Sequence, residues 1–293
     1  MRSSRASQTA MGTASVRAIE SEKPADLRIC YDPLARRLVN PWFYWAIRLL
    51  AGYGERRTRG ALTFIVCRCR YIDDYLQVCL QRGICQVVIL GAGLDSRAYR
   101  SPLSSEKART FEIDHPATQR DKIERVKKVL AQVPENVTWV PLDFNRETLD
   151  KLREVGFDPL ERTLFIWEGV TPYLLEEAVD ATLTWIGVHA APGSTVIFDY
   201  QDSPEPTRHN HIYAVLTRIT GEVRSFGIPR GQIEAFLSRR GFARVENVTA
   251  DQLAKLYCTG PNLRRTVAQK YSIVHAEIPA TDAEPENAKG CGA

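Results

Sequence analysis

Gln86-Val87-Val88-Ile89-Leu90-Gly91-Ala92-Gly93-Leu94-Asp95 is the stretch that decides the fold. Its first half is apolar and rich in β-branched residues, without the alternation of a strand that faces water. It reads as a strand buried on both faces of a parallel sheet. The strand runs straight into Gly91-Ala92-Gly93, where residues without a Cβ let the backbone turn sharply and approach a ligand at the carboxyl end of the sheet. A dinucleotide fingerprint needs a third glycine at position 96, and Ser96 stands there. The tight pyrophosphate site of a nicotinamide enzyme is therefore not spelled out.

Beyond this loop, strands and helices trade places. Residues 109–113 read as a second strand, 116–132 as a helix, 137–144 as a third strand, 146–155 as a helix and 163–167 as a fourth strand. A long amphipathic helix at 175–191, closed by Pro192-Gly193, precedes a fifth strand at 194–200. Five βα units predict a parallel, doubly wound α/β sheet. A helix at 230–240, a strand at 243–248, a helix at 251–257 and a strand at 266–277 follow. The short connection between those last two strands permits an antiparallel pair at the sheet edge. Upstream, Asp32-Pro33 and Asn40-Pro41 open helices, and Leu62, Ile65, Val66, Ile72 and Leu76 keep an apolar helical period. The expected organisation is a disordered leader at 1–13, an N-terminal helical cap at 14–82, a core at 83–278 with a polar insertion at 202–225, and a disordered tail at 279–293.

At 293 residues, 44% hydrophobic and 25% charged, the chain is long enough for one large core and a modest cap. A net charge of +4 with no block of five like charges leaves no footprint for nucleic acid. No apolar run reaches the ~20 residues that cross a bilayer, so no membrane partner is expected. Seven scattered cysteines and no signal-peptide pattern fit reduced thiols in the cytoplasm. Cys67 and Cys69 lack Cys or His partners at zinc-ligand spacing, and no metal is expected. The oligomeric state is not legible.

The candidate ligand residues stand at successive strand ends. Asp114 closes strand two about twenty residues after the glycines, where a carboxylate can accept from both hydroxyls of a ribose. Glu112 is its rival, disfavoured because it lies inside the strand. Asp143-Phe144 closes strand three and suits an adenine, the acid accepting from the exocyclic amine and the ring covering the base. An Asp capping the next helix and a core Phe fit those two positions equally well. Trp167-Glu168-Gly169-Val170 closes strand four and brings a carboxylate that can hold an ammonium. With Gly91, Ala92, Gly93, Asp95 and His115, which starts the helix after strand two, these positions form one expected nucleoside site.

Arg68-Cys69-Arg70-Tyr71-Ile72-Asp73-Asp74, Val88 to Arg100, Phe111-Glu112-Ile113-Asp114-His115-Pro116 and Trp167 to Leu174, taken in that order, resemble the leucine carboxyl methyltransferase superfamily. The resemblance covers about residues 14–200 and is closer to its bacterial small-molecule O-methyltransferases than to the enzyme that methylates a protein phosphatase. It implies a class I methyltransferase fold that binds S-adenosyl-L-methionine (SAM), with a seven-stranded, mostly parallel Rossmann-like sheet and an N-terminal helical cap. It implies further that an arginine of the cap grips the SAM carboxylate, with Arg68 the nearest match and Arg70 the second, that Arg17 can correspond to another cap residue touching cofactor, that Glu168 meets the methionine portion, and that Tyr173 lies near the transferred methyl. A planar guanidinium suits a carboxylate because it offers two parallel donors.

The function this implies is methyl transfer to a hydroxyl or carboxylate oxygen of a small molecule, such as a polyketide-like secondary metabolite. In-line displacement asks the protein mainly to hold the acceptor oxygen against the methyl carbon. A carboxylate needs no base, whereas a phenol with pKa near ~10 gains from one. His209 and His211, in the insertion, are candidates, and a plain loop position explains them as well. The alternatives are a methyltransferase for a protein C-terminal carboxylate, a non-catalytic SAM-binding protein, and a nicotinamide oxidoreductase, the last disfavoured by Ser96 and by the lack of a Tyr-x-x-x-Lys pair.

Overall fold

The computed structural model describes residues 8–100, 102–103, 108–202 and 226–280, with the side chains of 52–58 outside that description. Seven strands run in chain order as Gln86–Leu90 (β1), Arg109–Asp114 (β2), Val137–Pro141 (β3), Thr163–Trp167 (β4), Thr195–Gln201 (β5), Ala243–Val248 (β6) and Tyr271–Glu277 (β7). They form one sheet in the order β3-β2-β1-β4-β5-β7-β6. The first five are mutually parallel, and β7 lies antiparallel between β5 and β6. The strand order reverses beside β1, between β2 and β4, which is where an α/β sheet opens a crevice for a ligand.

Burial on both faces of the central strands follows from their composition. Val87, Ile89, Leu164, Ile166 and Ile197 join one core, with Ile72 and Leu76 of the helix Ala61–Gln81 (α4) and Leu253 of the helix Ala250–Tyr257 (α9). Val88, Leu90, Phe165, Trp167 and Phe198 turn the other way, onto Val179, Leu183 and Ile186 of the helix Glu176–His189 (α7). Each such side chain contributes roughly 1.5–3 kcal/mol when fully buried.

The cap consists of Gln8–Ser21 (α1), Ala35–Leu38 (α2), Pro41–Thr58 (α3) and α4, and two short helices of the core are Lys151–Glu154 (α6) and Ile233–Ser238 (α8). Asp32 opens α2, its Oδ1 accepting from the backbone of Leu34 and Ala35. A separate small core of Ala14, Ala18, Ala35, Val39 and Tyr44 closes over Leu94, so the cap docks on the loop that follows β1. Residues 8–13, expected in a disordered leader, belong to α1, which begins at Gln8. The last strand starts at Tyr271 rather than at 266, because Ala268 donates its N–H to Gly60 at the start of α4 instead of to the sheet. The insertion's first residue, Asp202, bridges to Ile228. Residues 203–225, with both insertion histidines, and 281–293 lie outside the described residues. Among the described residues no helix is long and apolar enough to cross a membrane.

Candidate active site

A cavity of about 270 Å³ opens at the carboxyl ends of β1 to β4, with Thr9, Ala10, Thr13 and Arg17 of α1 lining it from the cap side. Its floor is the turn after β1. Gly91 and Gly93 both have positive φ, +66° and +42°. A Cβ on Gly91 would sit 2.4 Å from Cγ2 of Val170, and one on Gly93 would sit 3.1 Å from Cβ of Ala10. The loop after β4 and the cap helix can close on this turn only because Gly91 and Gly93 lack side chains. Ala92 lines the cavity and donates to the Ile113 carbonyl at 2.9 Å, which ties the turn to β2.

The two acids of β2 point to different surroundings. Asp114 lines the cavity, its Oδ2 accepting from Gly93 N and its Oδ1 from His115 N at 2.6 Å. Burial lifts its carboxyl above the usual range, and the two backbone donors work against that shift. Glu112 is fully buried away from the cavity, paired with Lys122 Nζ at 2.6 Å and accepting from the Tyr99 hydroxyl and the Trp139 indole. Lys122 also reaches the Ala92 carbonyl at 3.3 Å, so Glu112 braces the glycine turn from behind.

His115 lines the cavity too, and its Nδ1 caps the helix Pro116–Val129 (α5) by accepting from Ala117 N. Asp143 and Phe144 reach the cavity beside Leu142. Asp143 also accepts from Asn145 N as a turn residue, and the Phe144 ring lies 6.0 Å from that of Trp167. Asp143 therefore serves a turn and not a helix cap, because the next helix starts only at Lys151, whereas Phe144 packs against the core as well as reaching the cavity.

The other half of the site is a buried lattice of alternating charge. Arg68 Nε donates to Glu168 Oε1 at 3.0 Å, and its Nη1 donates to Asp199 Oδ2 at 2.7 Å. Glu168 Oε2 accepts from Arg97 Nη1 at 2.6 Å, and Arg97 also holds Asp95 and Asp73 at 2.6 Å each. Burial opposes the charge on Glu168, but Arg97 and Arg68 outweigh it and hold the carboxyl below its usual range. Asp95 is depressed in the same way, against burial, chiefly by Arg97 and Arg17. Arg17 pairs with Asp32 at 3.0 Å and donates to the Leu94 carbonyl at 2.7 Å.

Arg70 does not belong to the site. Two residues beyond Arg68 on α4 it is rotated to the far side of the helix, where it pairs with Asp74 at 2.7 Å on the surface. Tyr173, with Val170 and Leu174, lines the cavity from the short 3-10 turn Thr171–Tyr173. His209 and His211 lie outside the described residues. Four carboxylates (Asp95, Asp114, Asp143, Glu168) and two guanidiniums (Arg17, Arg68) face the space, which suits a ligand with more positive than negative charge and one carboxylate.

Asp73, Arg97 and Asp199 belong to the lattice and went unseen in the sequence. Arg97 sits in the quoted motif, yet nothing local marks it as buried. Asp199 did leave a signal, an acid in the middle of the otherwise apolar β5, where strand propensity disfavours it.

Comparison with known proteins bears on the family and the fold. Relatives from Streptomyces avermitilis and Streptomyces coelicolor, both named as candidate SAM-dependent methyltransferases, are 36% and 38% identical over 189 residues. Each match covers 64% of this chain and 66% of the relative's own length, just under two thirds. A solved structure from Thermobifida fusca, described as a candidate methyltransferase, shares the fold with a TM-score of 0.58 at 16% identity, covering 94% of this chain and 96% of that one. The model of the leucine carboxyl methyltransferase family matches residues 10–187, from the cap helix over the glycine turn to α7. The chain belongs to the leucine carboxyl methyltransferase family.

Proposed function

We propose that the protein is a SAM-dependent methyltransferase that methylates an oxygen of a small molecule. The observation that carries this reading is the convergence of Asp114, Glu168 and Arg68, from two strand ends and a cap helix, on one cavity over the Gly91-Gly93 turn. The residues present fit the cofactor. Asp114 offers its remaining lone pairs to the ribose hydroxyls, Leu142, Asp143 and Phe144 flank the adenine, and Glu168 and Arg68 take the ammonium and the carboxylate of the methionine end. Four carboxylates against two guanidiniums match a ligand with two positive centres and one negative. Bound SAM supplies a methyl group made electrophilic by its sulfonium.

The chain's own task is then to hold the acceptor oxygen in line with that methyl and to keep water out. Tyr173 lines the cavity, and we assign it the orienting of the acceptor oxygen by a hydrogen bond from or to its hydroxyl. The resemblance of the motifs to the bacterial small-molecule branch supports a small acceptor over a protein C-terminus. Incubation with methyl-labelled SAM and a panel of polyketide-like phenols, alcohols and carboxylic acids is expected to label at least one small molecule. Labelling confined to a protein C-terminal carboxylate reverses the acceptor, and SAM binding without any turnover leaves a non-catalytic SAM-binding protein.

A further inference from the structure

We propose that Asp199, which does not line the cavity, is the positioning residue that aims Arg68 at the cofactor carboxylate; the proposal rests on the cofactor reading above. Asp199 lies in the middle of β5 and is 2% exposed. A carboxylate in a central strand is costly unless its oxygens are committed. Here Oδ2 accepts from Arg68 Nη1 at 2.7 Å and Oδ1 accepts from Gly169 N at 2.6 Å. Its main-chain carbonyl accepts from Thr171 Oγ1 at 2.7 Å. One residue thus ties a cap-helix arginine, the loop after β4 and the turn that carries Tyr173 to the sheet.

The effect on Arg68 follows from the geometry of its fork. Glu168 takes Nε and Asp199 takes Nη1, which leaves Nη2, and the whole fork packs so close to Gly169 that a Cβ there would lie 3.2–3.5 Å from Nη2, Nη1 and Cζ. Arg68 itself lines the cavity, so the nitrogen that neither carboxylate takes is available to a ligand there. Two carboxylates pulling in different directions keep the fork from closing on either one. Without the charge of Asp199, Glu168 is the sole carboxylate on Arg68, and a bidentate Arg68–Glu168 pair turns the donors away from the ligand.

The test compares S-adenosylhomocysteine, which carries the amino-acid carboxylate, with methylthioadenosine, which lacks it, by calorimetric titration of the full chain. The wild type is expected to prefer the homocysteine compound. Asp199→Asn is expected to cut that preference about tenfold, the scale of one charge-assisted hydrogen bond, while leaving methylthioadenosine affinity nearly unchanged. Asp199→Glu, which keeps the charge, is expected to stay within about threefold of the wild-type preference, and it decides the matter if the Asn variant does not fold. Equal weakening of both ligands in Asp199→Asn means a merely structural role and overturns the proposal. A rise in the preference overturns it too, because removal of a nearby negative charge then outweighs aiming. A collapsed preference in Asp199→Glu has the same consequence. A wild type that binds neither ligand defeats the cofactor reading and this inference with it, whereas failure of the variants alone defeats only the inference.

Discussion

Arg97 Nη1 and Glu168 Oε2 meet at 2.6 Å behind the cavity, both side chains almost wholly buried. Arg97 is also the cation shared by Asp73 and Asp95. Its removal takes a cation from three carboxylates, of which Glu168 keeps Arg68 and Asp73 keeps Arg100 while Asp95 loses its 2.6 Å partner. Arg97→Met is expected to cost about 3–5 kcal/mol, a fall of roughly 10 °C in melting temperature. Scanning calorimetry that shows an unchanged midpoint contradicts this account of the lattice.

Asp114 has a consequence for pH. Its ionised form is the better acceptor for ribose hydroxyls, and its folded-state carboxyl is raised by burial. Affinity for both S-adenosylhomocysteine and methylthioadenosine is therefore expected to fall as pH is lowered, beginning above the ~3.9 of an ordinary Asp. Asp114→Ala should lose about ten- to a hundredfold for both ligands at neutral pH and flatten that dependence. A titration series in which the variant keeps the wild-type profile assigns the ribose elsewhere.

The depressed carboxyls act on stability in the opposite pH direction from a raised one. Burial raises Glu20, Asp32 and Glu168, but the Arg265 and Lys23 bonds, the Arg17 and Arg100 charges, and the Arg97 and Arg68 charges respectively outweigh it and lower each one. The stability they supply is present above the unfolded carboxyl range of about 4 and is lost as pH falls through their lower folded values. Acid unfolding followed by circular dichroism should begin only below about pH 4. Arg17→Met should move the onset upward, and an onset unmoved by that change counts against the pairing.

At Gly91 the turn tolerates no Cβ. Gly91→Ala meets Val170 Cγ2 at 2.4 Å and forces an L residue to positive φ. The expected cost is roughly 1–3 kcal/mol of stability and loss of most nucleoside affinity. Binding by Gly91→Ala at wild-type strength sinks the close-approach argument.

Glu112 and Lys122 separate bracing from ligand contact. Lys122→Met alone should destabilise by about 3–5 kcal/mol because it leaves Glu112 buried and charged. The double variant with Glu112→Gln, which still accepts from Tyr99, should recover most of that loss. A double variant no more stable than the single one contradicts the paired-charge reading.

How far the sequence carried the fold can be judged at particular residues. The β-branched run 86–90 and the glycines after it located the sheet, its parallel character and the ligand end, because those depend on local burial and backbone freedom. The acids at strand ends were legible for the same reason, and order along the strand separated Asp114 from Glu112. Arg70 misled because adjacency in a motif says nothing about helical rotation. Arg97 and Asp199 stayed hidden because their roles depend on partners 71 and 131 residues away, a tertiary relation with no local pattern.

The central claim is a SAM-shaped site built from Asp114, Glu168 and Arg68. Calorimetric titration of the full chain with S-adenosylhomocysteine tests it most directly. Saturable binding of one molecule per chain, weakened in both Asp114→Ala and Arg68→Ala, is the predicted result; no binding by the wild-type chain, or binding indifferent to both substitutions, contradicts it.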